Sequence, residues 1–429
     1  MSLLITGAKT ADGTTRDLFI ANGVFRDPAD APGNVERIDA DGLLALPGLV
    51  DLHTHLREPG FEDAETIGSG TEAAARGGYT CVHAMANTEP VTDTAEAADY
   101  VAALGARDGF AQVVPIGAVT KNLEGVELAE LGMMARSKAN VRVFSDDGRC
   151  VTDSLLMRRA LSYVAAFNGV IAQHSQDPRL AGPGACCHES EISGRLGLPG
   201  WPTQAESVII ARDVQLAELA NSRLHVCHVS SAESVDIIRW AKKRGIQVTA
   251  EATPHHLYLG TELVENYDTT FKVNPPLRTS EHIEAVREAL ADGTIDAVAT
   301  DHAPHTPQDK DHPFDVALPG MLGLEQSLAV VIETMVKPGR LTWEGLVERM
   351  SYIPARIGQL TNQGRPIAIG EPANVVLVDP NATAVVDRGA SKSRSRNNPY
   401  HGRTLPDPVI TTIWAGRVTY SSPATSSSS

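Results

Sequence analysis

His53 and His55 stand two residues apart at the end of a short apolar run, within Leu46-Pro-Gly-Leu-Val-Asp-Leu-His-Thr-His-Leu-Arg57. If residues 48–53 form a buried strand, the alternation of side chains sends both imidazoles to the same side of its C-terminal end. Two such rings are half of a metal site. Taken alone, they fit an ordinary pair of strand or loop histidines equally well. The question is whether later runs end in the same kind of residue.

They do. Apolar runs recur at 79–85, 112–119, 140–145, 170–174, 224–229, 246–251 and 295–301, separated by helical patterns such as 66–76, 154–167, 201–220 and 280–291. The fourth run leads into Ser145-Asp146-Asp147-Gly148, the fifth ends in His174, the sixth carries His228 and the last opens Thr300-Asp301-His302-Ala303-Pro304-His305. Eight strands alternating with helices predict a (β/α)8 TIM barrel, whose strand ends crowd onto one face. A doubly wound open sheet competes on pattern alone. Singly, His174 or His228 could be a hydrogen-bonded core histidine and Asp146-Asp147-Gly148 a plain turn. Chance does not put a ligand type at the same end of five strands. Imidazole and carboxylate donors without a thiolate suit Zn²⁺, and Mn²⁺ or Co²⁺ could use them too. Such a centre acidifies water and polarises a carbonyl while a carboxylate moves the proton, which is hydrolysis of an amide-like bond.

The chain ends have a different texture. Short strands are expected at 2–6, 16–21, 23–26 and 35–40, with turns at Asp12-Gly13, Asn22-Gly23 and Asp41-Gly42, and again at 373–378 and 409–420 around Ala415-Gly416. Neither set can bury a face alone, so both are expected to join in a small β-sandwich domain over 1–47 plus 365–420, beside a barrel over 48–364. A polar tail, 421–429, reads as disordered.

A net charge of −16 excludes the broad basic surface that nucleic acid or an anionic membrane would require. No apolar run approaches the ~20 residues of a membrane span. Five cysteines without a C-x-x-C spacing, and a start without a signal peptide, predict a reducing, cytoplasmic setting.

Several stretches resemble those of one family. Pro47-Gly-Leu-Val-Asp-Leu-His-Thr-His-Leu-Arg57, Asn87-Thr88, Phe144-Ser-Asp-Asp-Gly148, Val273-Asn-Pro-Pro-Leu-Arg278, Ala299-Thr-Asp-His-Ala-Pro-His305 and Ala317-Leu-Pro-Gly-Met-Leu-Gly-Leu-Glu325 are similar, in colinear order, to dihydroorotases of the amidohydrolase superfamily. The match is to the type I group, in which an aspartate stands where most relatives carry a carboxylated lysine. The resemblance implies reversible cyclisation of N-carbamoyl-L-aspartate to L-dihydroorotate in pyrimidine synthesis. It implies one or two zinc ions held by His53, His55, Asp147, His174, His228 and Asp301, with Asp147 as the bridge and Asp301 as general acid and base. Arg57 and Asn87 are implied to grip the substrate carboxylate with His305, while Asn274 and the backbone at Pro319 and Gly320 face the ring. A homodimer and a complex with aspartate transcarbamoylase stay open.

Other cyclic amidohydrolases, hydantoinase and allantoinase, share barrel and ligands. The missing lysine and the Arg57 with Asn87 grip favour dihydroorotase. A catalytically silent scaffold subunit would typically lack ligands that this chain keeps. Ala86 replaces a common proline, Ser175-Gln176 replaces a frequent Cys-Glu, and Cys186-Cys187-His188 reads as incidental rather than as a second metal site. Lys392-Ser-Arg-Ser-Arg396 reads as a solvated basic loop, and 306–318 as a candidate lid.

Overall fold

The computed structural model describes residues 2–423. Eight parallel strands succeed one another: β1 (Leu49–Thr54), β2 (Tyr79–Ala84), β3 (Gln112–Pro115), β4 (Val143–Phe144), β5 (Val170–Gln173), β6 (Arg223–Val226), β7 (Val248–Ala252) and β8 (Ala297–Val298). β1, β2 and β3 pair in order, and so do β4 through β8. Two parallel bridges close the ring. Gly117 with Phe144 joins the end of β3 to β4, and Thr54 with His302 joins β1 to the chain just past β8. This is a (β/α)8 barrel; the closing bridges exclude the open sheet.

Helices α1 (Ile67–Arg76), α2 (Ala95–Asp108), α3 (Ser154–Ala165), α4 (Gln204–Ala220), α5 (Ala232–Lys243) and α6 (Ser280–Asp292) lie outside the strands. Their starts are written locally. The Thr66 hydroxyl accepts the Ser69 N–H, Ser69 returns a bond to the Thr66 N–H, and Asp153 accepts from Leu156 at the start of α3. The faces they turn inward are apolar, with Ile67, Ala73 and Ala74 of α1 and Met157, Leu161 and Val164 of α3 inaccessible to solvent. Each large side chain among them contributes about 1.5–3 kcal/mol of burial.

The two chain ends meet in one eight-stranded sheet. Its order runs Arg417–Ser421, Val409–Trp414, Val375–Val378, Leu44–Pro47, Ser2–Thr10, Thr15–Ala21 and Val24–Arg26, with Glu36–Asp39 beside Ser2–Thr10. It carries a core of its own, including Leu3, Ile5, Ile20, Phe25, Val375 and Ile413. Ser421 ends the last strand and the Ser422 N–H donates to Ile410 O (2.8 Å), so the expected disordered tail does not begin at 421. The rest of that expectation, 424–429, lies outside the described residues.

The run opening the chemistry-bearing motif is split between sheet and barrel. Leu44–Pro47 pairs with Val375–Val378, whereas β1 begins at Leu49 in the barrel. Gly48 is the hinge, and a Cβ there would lie 2.3 Å from Thr80 Oγ1. Gly48→Ala is therefore expected to cost about 1–3 kcal/mol as overpacking, measured as a lower midpoint in chemical denaturation. An unchanged midpoint would show that Thr80 yields freely.

Candidate metal centre

Position on the barrel brings the candidate donors together. His53 lies near the end of β1 and His55 just past it, Asp147 comes just past β4, His174 past β5, His228 past β6 and Asp301 past β8. All six are buried. Asp147 lies at their centre. Its Oδ2 is 3.3 Å from Nε2 of both His53 and His55, and its Oδ1 is 3.4 Å from His174 Nδ1 and 3.2 Å from His228 Nε2. Asp301 Oδ1 is 3.1 Å from His55 Nε2 and 3.5 Å from His53 Nε2. Two donor sets result, His53-His55-Asp147-Asp301 and Asp147-His174-His228, each within 4.8 Å and sharing one carboxylate. Asp146 faces elsewhere, accepting from the Val119 N–H (2.8 Å), the Thr120 N–H (3.0 Å) and the Thr120 hydroxyl.

Outer partners turn the lone pairs inward. His53 Nδ1 faces Glu251 Oε1 (2.8 Å), His55 Nδ1 faces Asn87 Oδ1 (2.9 Å) and His174 Nε2 faces Gln176 Oε1 (2.8 Å). Each of these oxygens can only accept, so each ring places its N–H outward and its lone pair toward the cluster. The consequence is a crowd of lone pairs. His53 Nε2 and His55 Nε2 present their lone pairs to the Asp147 and Asp301 carboxylates, and buried His53 Nε2 has no hydrogen-bond partner, while His174 Nδ1 can accept from His228 Nε2 (2.9 Å). A divalent cation relieves that arrangement; neutral imidazoles and carboxylates alone do not. The donor set fits a metal.

Without a cation, protons take the role. Burial alone would lower the histidine pKa values, but the Asp147 carboxylate outweighs it and holds His53 well above, and His174 above, the usual imidazole range. Hydrogen bonds that His55 donates to the Asp147 and Asp301 carboxylates do the same for it. Metal uptake at neutral pH is therefore expected to release protons, and metal retention against a chelator to weaken from pH 8 to pH 6. Equal retention at both would contradict this electrostatic picture.

The remaining expected residues gather at one side of the cluster. Arg57 Nε donates to Pro304 O (3.0 Å), and burial draws its guanidinium down to about 10, still charged at neutral pH. Its Nη2 is 3.5 Å from His305 Nε2, which itself donates to Pro319 O (2.8 Å). Gly320 has φ +141°, and a Cβ there would lie 2.7 Å from His305 Nε2, so only glycine fits. Asn274 Nδ2 donates to Gln176 Oε1 (3.0 Å) and stands 3.5 Å from His174 Nε2. Asn87 uses its carbonyl on His55. A cavity of about 390 Å³ opens from Asn87 and Asp147 toward Phe61 and Arg149. Three residues here, Arg57, His228 and Asp301, have φ of 64°, 33° and 47°. That is a left-handed backbone costing about 1–2 kcal/mol per residue, and such strain clusters at functional sites.

The family model described as dihydro-orotase-like matches residues 42–234. A dihydroorotase of Streptomyces coelicolor is 57% identical over 418 residues, covering 97% of each chain, and one of Mycobacterium tuberculosis is 50% identical over 423 residues, covering 98% of each. The chain belongs to the dihydroorotase family. Solved structures similar in fold are an L-hydantoinase (dihydropyrimidinase) of Arthrobacter aurescens, with TM-score 0.86, 24% identity and coverage of 98% of this chain and 96% of that one, and a dihydropyrimidinase of Brevibacillus agri, with TM-score 0.83, 22% identity and coverage of 97% and 95%. Both share the barrel and the accompanying sheet at low identity, so they speak to fold alone.

In this dihydroorotase-family chain, sequence reasoning missed Glu251. It accepts from His53 on one oxygen and faces His225 Nε2 on the other (2.9 Å). Its signal was its place at the end of the seventh run, where the other strands carry ligands. Cys227 joins His53 and Glu251 as a third donor set within 4.8 Å, but both Glu251 oxygens are already engaged. His302 turns away from the cluster, with Nε2 3.4 Å from Glu65 Oε2. Cys186 and Cys187 are buried against Val264 and Phe314, while His188 Nδ1 is 3.0 Å from Arg278 Nη1. Among the described residues, no helix is long and apolar enough to cross a membrane. The Lys392–Arg396 expectation holds for Lys392, Arg394 and Arg396, which are exposed, and is corrected only for Ser393 and Ser395, which are buried with their hydroxyls donating to Glu65 and the Ala64 carbonyl.

Proposed function

We propose that the chain is a type I dihydroorotase, interconverting N-carbamoyl-L-aspartate and L-dihydroorotate. The observation that carries the reading is the Asp147 carboxylate, one oxygen toward His53 and His55 and the other toward His174 and His228, at a strand end that offers no lysine. Two donor sets sharing that carboxylate support one or two bound ions, and all-nitrogen-and-oxygen donors in a buried setting support Zn²⁺. When bound, the ion lowers the pKa of water and polarises the ring carbonyl.

The chain's own residues would do the rest. In ring opening, Asp301 accepts the proton of the attacking water and returns it to the departing ring nitrogen; ring closure reverses the transfer. Arg57, kept charged despite burial, forks onto the substrate carboxylate with Asn87 and His305 beside it. Asn274 and the backbone of Pro319 and Gly320 bound the ring. The sheet residues 1–47 plus 365–420 form the small domain in this reading, with the barrel at 48–364. Unpaired cysteines at 81, 150, 186, 187 and 227 agree with a cytoplasmic setting. A homodimer and a complex with aspartate transcarbamoylase belong to the same proposal, on family grounds.

Parallel assays with dihydroorotate, hydantoin and allantoin test the substrate. Ring opening of dihydroorotate alone is expected. Turnover of hydantoin or allantoin in its place would leave the metal centre standing and remove the substrate assignment.

A further inference from the structure

Between Val375–Val378 and Val409–Trp414, which are neighbours in the end sheet, the chain leaves the sheet, reaches the barrel mouth and returns. Joining two antiparallel neighbours needs only a few residues. The excursion is anchored over 391–398. The Lys392 N–H donates to Glu325 (2.9 Å), the Arg394 N–H to Glu65 (2.9 Å), the Ser395 hydroxyl to Ala64 O (2.7 Å) and Asn398 Nδ2 to Gln326 Oε1 (2.8 Å).

Asn397 makes a different set of bonds. Its Nδ2 donates to Ala303 O (2.9 Å) and Gly320 O (3.1 Å), its Oδ1 accepts the His305 N–H (3.2 Å) and its backbone carbonyl accepts the Leu322 N–H (3.1 Å). Both amide hydrogens are spent, and the residue is buried. All four partners are backbone groups on two segments, 303–305 and 320–322. Those segments carry His305 and Gly320, and the first also holds Arg57 through Pro304 O. They touch where His305 Nε2 meets Pro319 O, at a glycine with no room for a Cβ. The two walls meet directly through the Ala303 N–H, which donates to Met321 O (2.9 Å), and through His305 Nε2 with Pro319 O, and one side chain delivered from near the end of the chain braces that junction from both sides.

We infer that Asn397 is a positioning residue for substrate: it braces the junction between the segments that hold the carboxylate end of dihydroorotate, touching neither the substrate nor the metal-cluster side chains. The inference rests on the dihydroorotase reading. Small misplacements of binding groups have large effects on ligand use, and here they fall on binding because the cluster is held by other bonds.

The test compares Asn397→Ala, Asn397→Asp and Ser395→Ala with the parent protein, reading KM and kcat for dihydroorotate, metal content and melting temperature. Asn397→Ala is expected to raise KM by about tenfold or more, with metal content unchanged and kcat altered far less. Asn397→Asp keeps the acceptor for the His305 N–H and sets an oxygen against two carbonyls, so it must raise KM as well; if the alanine variant does not fold, the aspartate variant carries the test. Ser395→Ala loses a buried bond of the same excursion away from the two walls, and is expected to lower the melting temperature with KM unchanged. A parent-like KM in either Asn397 variant overturns the inference, and so does an equal KM rise in Ser395→Ala, which would mean general loosening. A parent protein that does not open dihydroorotate would instead overturn the functional reading.

Discussion

Asp301→Asn is expected to yield a folded protein whose dihydroorotate turnover is lower by about 10³–10⁴-fold, near the upper range for loss of a general acid–base group. Asparagine is the informative replacement because Asp301 has φ 47°, a conformation asparagine adopts readily and alanine does not. An amide keeps the shape and one acceptor oxygen while losing the group that takes and returns a proton. The fold does not depend on that proton, since the Asp301 carboxylate reaches His55 and His53 at the open end of the barrel rather than apolar core. Circular dichroism and melting temperature close to the parent, with turnover near the detection limit, would match the account. Near-parent turnover would remove Asp301 from the proton path.

The second large effect separates two adjacent aspartates. Asp147→Ala removes both oxygens that face the four imidazoles, so bound metal after desalting is expected to fall severalfold, with turnover falling alongside. Asp146→Ala is expected to keep its metal and lose stability instead. It strands two buried backbone N–H groups, at Val119 and Thr120, each costing about 1–3 kcal/mol when left unpaired. Metal analysis beside a denaturation midpoint distinguishes them. Unchanged metal in Asp147→Ala, or metal loss confined to Asp146→Ala, would reverse the assignment of the two residues.

The donors were legible because a parallel barrel turns sequence position into spatial position: each strand is an apolar run, and the residues just past its end face the same mouth. His53, His174, His228 and Asp301 are readable from their places in the chain alone, whereas the choice of Asp147 over its neighbour Asp146 came from the family resemblance. The break at Gly48 is not readable in this way. Residues on either side of it are apolar, and the close approach of Thr80, which leaves no room for a side chain there, shows only in the structure. Glu251 was hidden for another reason, since a carboxylate inside a barrel looks unfavourable until His53 and His225 are seen to engage both its oxygens. The 391–398 segment misled in the same way. Its Lys392, Arg394 and Arg396 are exposed as their charge suggests, yet Ser393, Ser395 and Asn397 are buried because each meets a partner elsewhere in the chain. Local polarity cannot reveal partners contributed by distant residues such as Glu65 and Ala303.

The most direct measurement records dihydroorotate ring opening in one preparation stripped of metal by a chelator and then titrated with zinc, with bound zinc determined at each point. The account predicts no turnover in the stripped protein and activity that rises with bound zinc until the cluster of His53, His55, Asp147, His174, His228 and Asp301 is filled. Full turnover with no metal bound would contradict it.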